Sequence, residues 1–450
     1  MNNEKKIIMM KEGKIPKVLL KLGIPTMIGM LVAALYSIVD AYFVGWLGTS
    51  QVAAVSVVFP IVQIIVGLGM TFGSGAASYI SRLLGQGKPE EANQTASTSL
   101  ISSLVVGMIA ITIALCFLDD LLLALGATET VLPYAREYAV IFIAGSILNI
   151  FNITMNNIIT AEGRARLTMI AQLIGGGLNI ILDPIFISVF GFGIQGAAIA
   201  TVISQAVTSC MYFWFIGGKK GYLRFSPRHF SFSGKIYKEV FKIGVPILLF
   251  QLLTSIALSM TNAAANTYGD SVLAAVGIVT RIMTFGTYVV FGYMKGYQPV
   301  AGYNFGARQY DRMNEATRVS IIWATLFCSL AAVFMIFIPR QILSLFTQND
   351  TVLIDVGARM LRANGFIFPL FGFQMLYMAQ FLALGHGKEG SVLSISRQGL
   401  FFIPAILILP RLFGIDGIIW AQPAADIATV LLTLLLSISL RKKIKSLQNN

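Results

Sequence analysis

Gly48-Thr-Ser-Gln-Val-Ala-Ala-Val55 and Gly269-Asp-Ser-Val-Leu-Ala-Ala-Val276 agree at five of eight positions, one octet in each half of the chain. The shift that carries Gly48 onto Gly269 holds along the whole sequence. Gly23 and Pro25 pair with Gly244 and Pro246, and Gly75 and Gly85 with Gly296 and Gly306. Thr130, Val131 and Leu132 meet Thr351, Val352 and Leu353, while Gly193, Ile194, Gly196 and Ala200 meet Gly414, Ile415, Gly417 and Ala421. A duplicated, mostly apolar chain is a common plan for secondary transporters, whose site lies between two repeats. The duplication breaks on acids: Asp40 faces Thr261, Asn179 faces Leu400, and Asp183 faces Pro404.

The hydrophobic fraction is 56%, only 12% is charged, and the mean hydropathy is +0.77, far too apolar for a soluble surface. Twelve apolar segments of spanning length can be marked. They run at 17–46, 51–82, 94–117, 131–160, 167–190 and 195–217, then at 238–267, 272–304, 317–338, 353–384, 392–412 and 417–440. Several exceed the usual length, so tilt or extension beyond the bilayer is expected. No alternating short strands point to a barrel. The basic N-terminus followed by an apolar stretch resembles a signal peptide, but the stretch runs on too far and reads as the first span. The fold class is therefore an all-α integral membrane protein. The expected division is an N-terminal six-helix lobe at 1–217, a basic linker at 218–238 and a C-terminal six-helix lobe at 239–450.

A net charge of +13 would suggest nucleic acid in a soluble protein, but here position decides. Six lysines precede or open the first span (Lys5, Lys6, Lys11, Lys14, Lys17, Lys21). Seven cations lie between Lys219 and Lys242, and four close the chain (Arg441, Lys442, Lys443, Lys445). Positive residues collect on the cytoplasmic side, so both termini and the linker are expected inside and each half crosses an even number of times. The linker carries Pro227 and Gly234 and is long enough to let two lobes rock. No nucleic-acid partner is expected.

Asp40 lies near the outer third of the first span. A charge at that depth costs about 2.5–3.5 kcal/mol on insertion scales, so it needs a partner, water or a proton. Asn179 and Asp183 are four apart on one helix face, and Pro184 removes a backbone donor beside them. Two neighbouring carboxylates disfavour joint ionisation, which suits a proton carrier; carboxylate and amide oxygens are equally the hard ligands Na⁺ uses. Tyr138 and Thr201 are candidates to join. Asp426 is read either as functional or as a structural ion-pair partner, Arg281 and Lys295 are left open, and Arg397 is read as snorkelling to an interface. Methionines such as Met260 and Met283, with Gln251 and Asp426, are candidates for a cavity lining, core filling being the alternative for each methionine. Gly69 and Gly73, and Gly175 to Gly177, read as close helix packing. Cys116, Cys210 and Cys328 read as small core residues. With no nucleophile–base set and both histidines in loops, neither an enzyme, a cofactor nor a transition-metal site is expected.

Five motifs together resemble the multidrug and toxic compound extrusion (MATE) family over essentially all twelve spans. They are Gly23-Ile-Pro25, Val39-Asp40-Ala-Tyr-Phe-Val-Gly45, Ser81-Arg82-Leu-Leu-Gly85, Gly177-Leu-Asn-Ile-Ile-Leu-Asp183-Pro184 and Ala301-Gly302-Tyr303-Asn304-Phe-Gly306. The pattern is similar to the DinF and MepA types. The resemblance implies two six-helix lobes forming a V around a cleft, cation-driven export of organic cations, and a coupling site in the N-terminal lobe at Asp40, Asn179 and Asp183, joined by Tyr138 and Thr201. The seventh span holds Gln251, Ser255, Ser259, Thr261 and Asn262 but no carboxylate, which departs from the branch that has C-lobe acids. The expectation is a monomeric, multi-pass cell-membrane antiporter that exchanges small cationic or amphipathic drugs for H⁺ or Na⁺ in alternating access. A lipid-linked precursor flippase of the same superfamily is the alternative; a channel or structural membrane protein fits the paired acids less well.

Overall fold

The computed structural model describes residues 3–218, 221–346 and 350–448, with side chains from Ile7 onward; Lys219 and Lys220 of the basic linker lie outside the described residues. Twelve helices are long and apolar enough to cross a membrane: α1 Ile15–Gly45, α2 Thr49–Gly85, α3 Pro89–Cys116, α4 Leu132–Ala161, α5 Ala165–Val189, α6 Gly193–Gly217, α7 Gly234–Asn266, α8 Asp270–Gly306, α9 Tyr310–Phe337, α10 Thr351–Ala383, α11 Gly387–Phe413 and α12 Ile415–Gln448. All twelve expected spans are present. The longest reach 37 residues, about 55 Å of helix, against a hydrocarbon core of roughly 30 Å.

The duplication is legible at the turns. Gly48 and Gly269, which open the two matching octets, have φ of +125° and +99°. That backbone is open to glycine and strained for other residues, so both repeats need it between their first two spans. A short non-spanning helix at Leu118–Ala124 recurs at the matching place in the second half, Pro339–Ser344. Within the N lobe, α2 packs on α4, α1 on α5 and α4 on α6; in the C lobe, α8 packs on α10, α9 on α10 and α11 on α12. Close packing holds at Gly69 and Gly73 but not at Gly177, where a Cβ would meet nothing within 4 Å. A Cβ at Gly73 would stand 3.0 Å from Thr154 Cα on α4, and one at Gly69 3.4 Å from Ile150 Cα.

The lobes meet along α1–α8 and α2–α7, contacts that the repeat makes equivalent. Glycines retained in both halves mark the crossings. A Cβ at Gly296 would be 2.6 Å from Gly23 Cα, and one at Gly244 would be 2.8 Å from Thr71 Cα. Gly306 abuts the Arg82 backbone, and Gly85 abuts the Tyr303 carbonyl. Polar contacts reinforce this end: Arg82 Nη2 meets Glu239 Oε2 at 2.7 Å, and Ser78 Oγ donates to the Leu382 carbonyl at 2.5 Å. Among the described residues no hydrogen bond or ion pair joins the far halves of α1 and α2 to those of α7 and α8. The lobes are thus closed on each other at the end that bears the termini and the linker, and no such polar contact joins them at the other end among the described residues.

Two expectations change. The linker is fastened to the N lobe: the Tyr222 and Leu223 N–H groups donate to Glu162 Oε2 at 3.0 Å each, Arg224 N–H to Asn93 Oδ1 at 2.9 Å, and Ser231 N–H to Thr98 Oγ1 at 3.0 Å. Chain length alone says nothing of these anchors. Cys116 and Cys210 are exposed on the bundle, and only Cys328 is buried. In a membrane protein apolar residues face lipid as readily as core, so apolar context cannot separate the two.

Candidate cation-coupling site

Four helices of the N lobe converge on the acids that break the repeat. Helix α1 brings Asp40 with Tyr36 one turn earlier, α5 brings Asn179 and Asp183, α4 brings Tyr138, and α6 brings Thr201. Asn179 Nδ2 donates to Asp183 Oδ1 at 3.2 Å and lies 3.4 Å from Thr201 Oγ1. Tyr36, Asp40, Tyr138 and Asp183 are mutual electrostatic neighbours. Asp183 is fully enclosed, and Asn179 and Tyr138 are buried. All five sequence candidates therefore lie in one cluster of the N lobe. Pro184, which cannot donate to the carbonyl one turn back, is followed by a widened π turn at Ile185–Val189.

The hydrogen-bond account of this cluster does not close. Asp40 Oδ1, Asn179 Oδ1 and Asp183 Oδ2 are all buried without a partner. Buried polar atoms are nearly always satisfied, and three acceptors orphaned together are a demand for positive charge. Neither carboxylate has an ion-pair partner among the described residues. The donor set of two carboxylates, an amide oxygen and a hydroxyl, with phenols at hand, fits Na⁺ or transferable protons. It does not fit a transition metal, since no group of three or more His, Cys, Asp or Glu that could hold one occurs among the described residues.

The C lobe has a polar centre of a different kind. Arg397, expected to snorkel, is buried: its Nε meets Asp426 Oδ1 at 2.8 Å, and its guanidinium lies 4.8 Å over the Phe371 ring. Gln422 Nε2 completes the carboxylate at 2.9 Å. Asp426 is thus the ion-pair partner of Arg397. The sequence hides this because the pairing joins two different helices, α11 and α12, and the widened turn at Ser396–Leu400 that carries Arg397 has no sequence signature. Met260 and Met283 are half-buried and pack against the C-lobe core, and Gln251 is half-buried on α7.

Several polar residues escape the sequence reading. Asn152 Nδ2 donates to Gln205 Oε1 at 2.8 Å, Ser209 Oγ to Asn152 Oδ1 at 2.9 Å, and Asn156 Nδ2 to Tyr212 Oη at 3.2 Å. They form a polar seam between α4 and α6, running from the acids toward the closed end. The asparagines at 152 and 156, four apart in an apolar span, are the available signal. Lys295 resolves too: its Nζ donates to Asn156 Oδ1 across the lobe seam. Arg281 is exposed, and Arg281, Tyr288 and Lys295 recur at every seventh position on one face of α8; Tyr288 is an electrostatic neighbour of Tyr36 on the opposite lobe.

Comparison with known proteins gives the family. A family model described as MatE matches residues 25–185 and 246–407, two blocks whose starts are related by the same shift as the repeat. The chain belongs to the MatE family. A multidrug export protein MepA of Staphylococcus haemolyticus is 29% identical over 442 residues, covering 98% of this chain and 97% of that protein. Among solved structures, a MATE protein in complex with MaL6 superposes with a TM-score of 0.92 at 30% identity, over 98% of this chain and 99% of that one. A multidrug resistance MATE family transporter of the MOP superfamily in an outward-facing conformation gives 0.91 at 32% identity, over 98% of each chain. The MatE chain described here shares their architecture end to end. The family is one of membrane transporters, not of enzymes.

Proposed function

We propose that this MatE protein is a multidrug efflux antiporter of the cell membrane, acting as a monomer and exporting small cationic or amphipathic drugs in exchange for H⁺ or Na⁺ taken up at Asp40, Asn179 and Asp183. The observation that carries the reading is the trio of unpartnered buried oxygens in one lobe of a two-lobed protein. Support for drug substrates comes from relatives named as multidrug export proteins. The N-lobe wall offers carboxylates to a cation. The facing α8 wall, with Arg281 above Lys295, suits the anionic end of an amphipathic substrate. Thr201 lies beside the Asn179 amide and Tyr138 flanks the acids, and the polar seam along α4 and α6 is a route for the ion toward the closed end.

For one ion exchanged for a neutral drug, a charge crossing about 100 mV is worth roughly 2.3 kcal/mol, and a tenfold ion gradient adds about 1.4 kcal/mol. For a monovalent cationic drug the charges cancel and only the concentration gradients drive export. Loading a cation on the N-lobe acids removes the negative charge that holds a cationic drug, so the two ligands oppose each other. With protons as the coupling ion, the sign follows directly: as pH falls the carboxylates protonate and drug affinity drops. Drug binding to purified protein is expected to weaken about 5- to 150-fold at low pH or high Na⁺. That competition should vanish in Asp40→Asn. Wild-type affinity indifferent to both ions would refute the coupling scheme.

The basic end of the bundle is assigned to the cytoplasm by its lysines and arginines, which makes the opposite end external. After replacement of Cys116, Cys210 and Cys328, a lone cysteine at Arg228 in intact cells is expected to resist an impermeant thiol reagent. One at Thr49, by the Gly48 turn, is expected to react. Labelling of Arg228→Cys from outside would overturn this orientation.

A further inference from the structure

At the basic end of the C lobe, a cavity of about 510 Å³ lies between α9, α10 and α12. Three cations line it, Arg318, Arg441 and Lys445, and no carboxylate does. Arg441 Nη2 donates to Tyr377 Oη at 2.8 Å, but none of the three has an ion-pair partner among the described residues. Gln380, also on the wall, is 2% exposed and its Oε1 is buried without a hydrogen bond. The rest of the wall is mixed: Asn314, Thr317 and Gln448 are polar, while Ile321, Phe373, Leu440 and Ile444 form an apolar flank whose edge at Ile322 is 54% exposed on the outer side of α9. The cavity therefore has cations at the helix ends, an unsatisfied acceptor, and an apolar flank open to the bilayer.

We propose that this cavity binds one anionic phospholipid of the cytoplasmic leaflet, with its phosphate between Arg318, Arg441 and Lys445 and an acyl chain along Phe373 and Ile444. The volume lies within the range of small-molecule sites, and basic clefts between spans on that side are suited to lipid phosphates. An acceptor left open at Gln380 calls for a donor, which a phosphodiester and a saturated chain do not have. A hydroxyl-bearing headgroup supplies it, so phosphatidylglycerol is the fitting class. Free phosphate would meet the same cations but leave both the apolar flank and Gln380 unmet.

The test uses purified full-length protein in detergent, with retained lipid read by native mass spectrometry. Phosphatidylglycerol and phosphatidylcholine of identical chains are offered in competition, and inorganic phosphate is titrated in a separate arm. One phosphatidylglycerol is expected to be retained, and Arg318→Gln or Lys445→Gln should each weaken it about fivefold. Gln380→Leu should weaken phosphatidylglycerol but not phosphatidylmethanol, an anionic phosphodiester whose headgroup has no hydroxyl. Lys17→Gln with Lys21→Gln, exposed cations at the same end but outside the cavity, should change nothing. Equal retention of both lipids by the wild type, an equal effect of the control pair, or displacement by equimolar inorganic phosphate would each overturn the assignment. Because drug transport is not part of the readout, the result stands apart from the proposed export function.

Discussion

Asp183→Asn is expected to abolish drug resistance while leaving the protein in the membrane at normal abundance. The side chain is fully enclosed, its Oδ2 is unpartnered, and Asn179 holds its other oxygen at 3.2 Å. Asparagine keeps the volume and the hydrogen bond from Asn179 has an oxygen to go to, so the fold loses little. What disappears is the negative charge, and with it the capacity to take up and release a cation. Asp40→Asn should do the same through the other carboxylate. Thr261→Ala and Pro404→Ala, at the matching positions of the second repeat, should be mild: Thr261 only back-bonds to the Ala257 carbonyl of its own helix. Drug-resistance assays with quantified membrane protein measure all four. Equal loss at the four positions would mean that the asymmetry between the lobes has been misassigned.

The second large effect is expected from the glycines at the lobe crossing. Gly296→Val puts a branched side chain where the Gly23 backbone passes, 2.6 Å from the position of a Cβ, and Gly306→Val meets the Arg82 backbone. Backbone cannot rotate away as a side chain can, so the two lobes must separate at this end. Overpacking of this kind costs about 1–3 kcal/mol, which reduces the closed-end population by up to roughly a hundredfold. Transport should fall to background. A reporter cysteine at Ser78, buried in the seam beside Leu382, should become accessible from the basic side. Gly277→Val is the control, since it lies on the same helix α8 with no atom within 4 Å of its Cβ position. If Gly296→Val and Gly277→Val behave alike in transport and in Ser78→Cys accessibility, these crossings do not form the closed gate.

The same glycines show why so much can be read from the chain before its structure. Gly23 and Gly244, Gly75 and Gly296, and Gly85 and Gly306 survive in both halves because each lies at the seam between the lobes, where a side chain has no room. Gly48 and Gly269 survive because their turns need positive φ. The internal repeat is therefore a record of the interface itself. The acids that depart from it, Asp40 and Asp183, mark a place where one lobe has a demand for charge that the other lacks. Local helix-face geometry then links Asn179 to Asp183 without any tertiary information.

Apolarity, charge placement and the repeat thus determined the twelve spans, the two lobes and the acidic pair, because each depends on residues near in sequence or related by a constant shift. Tertiary structure alone decided which polar groups remain unsatisfied. Arg397 and Asp426, on separate helices, close their charges on each other. Asp40 and Asp183, on α1 and α5 and far apart along the chain, are electrostatic neighbours, and neither has an ion-pair partner among the described residues. Both arrangements read alike as buried ionisable residues in apolar helices. Whether a buried charge is a strut or a site depends on where its partner's helix passes, and that is set by the packing of the whole bundle.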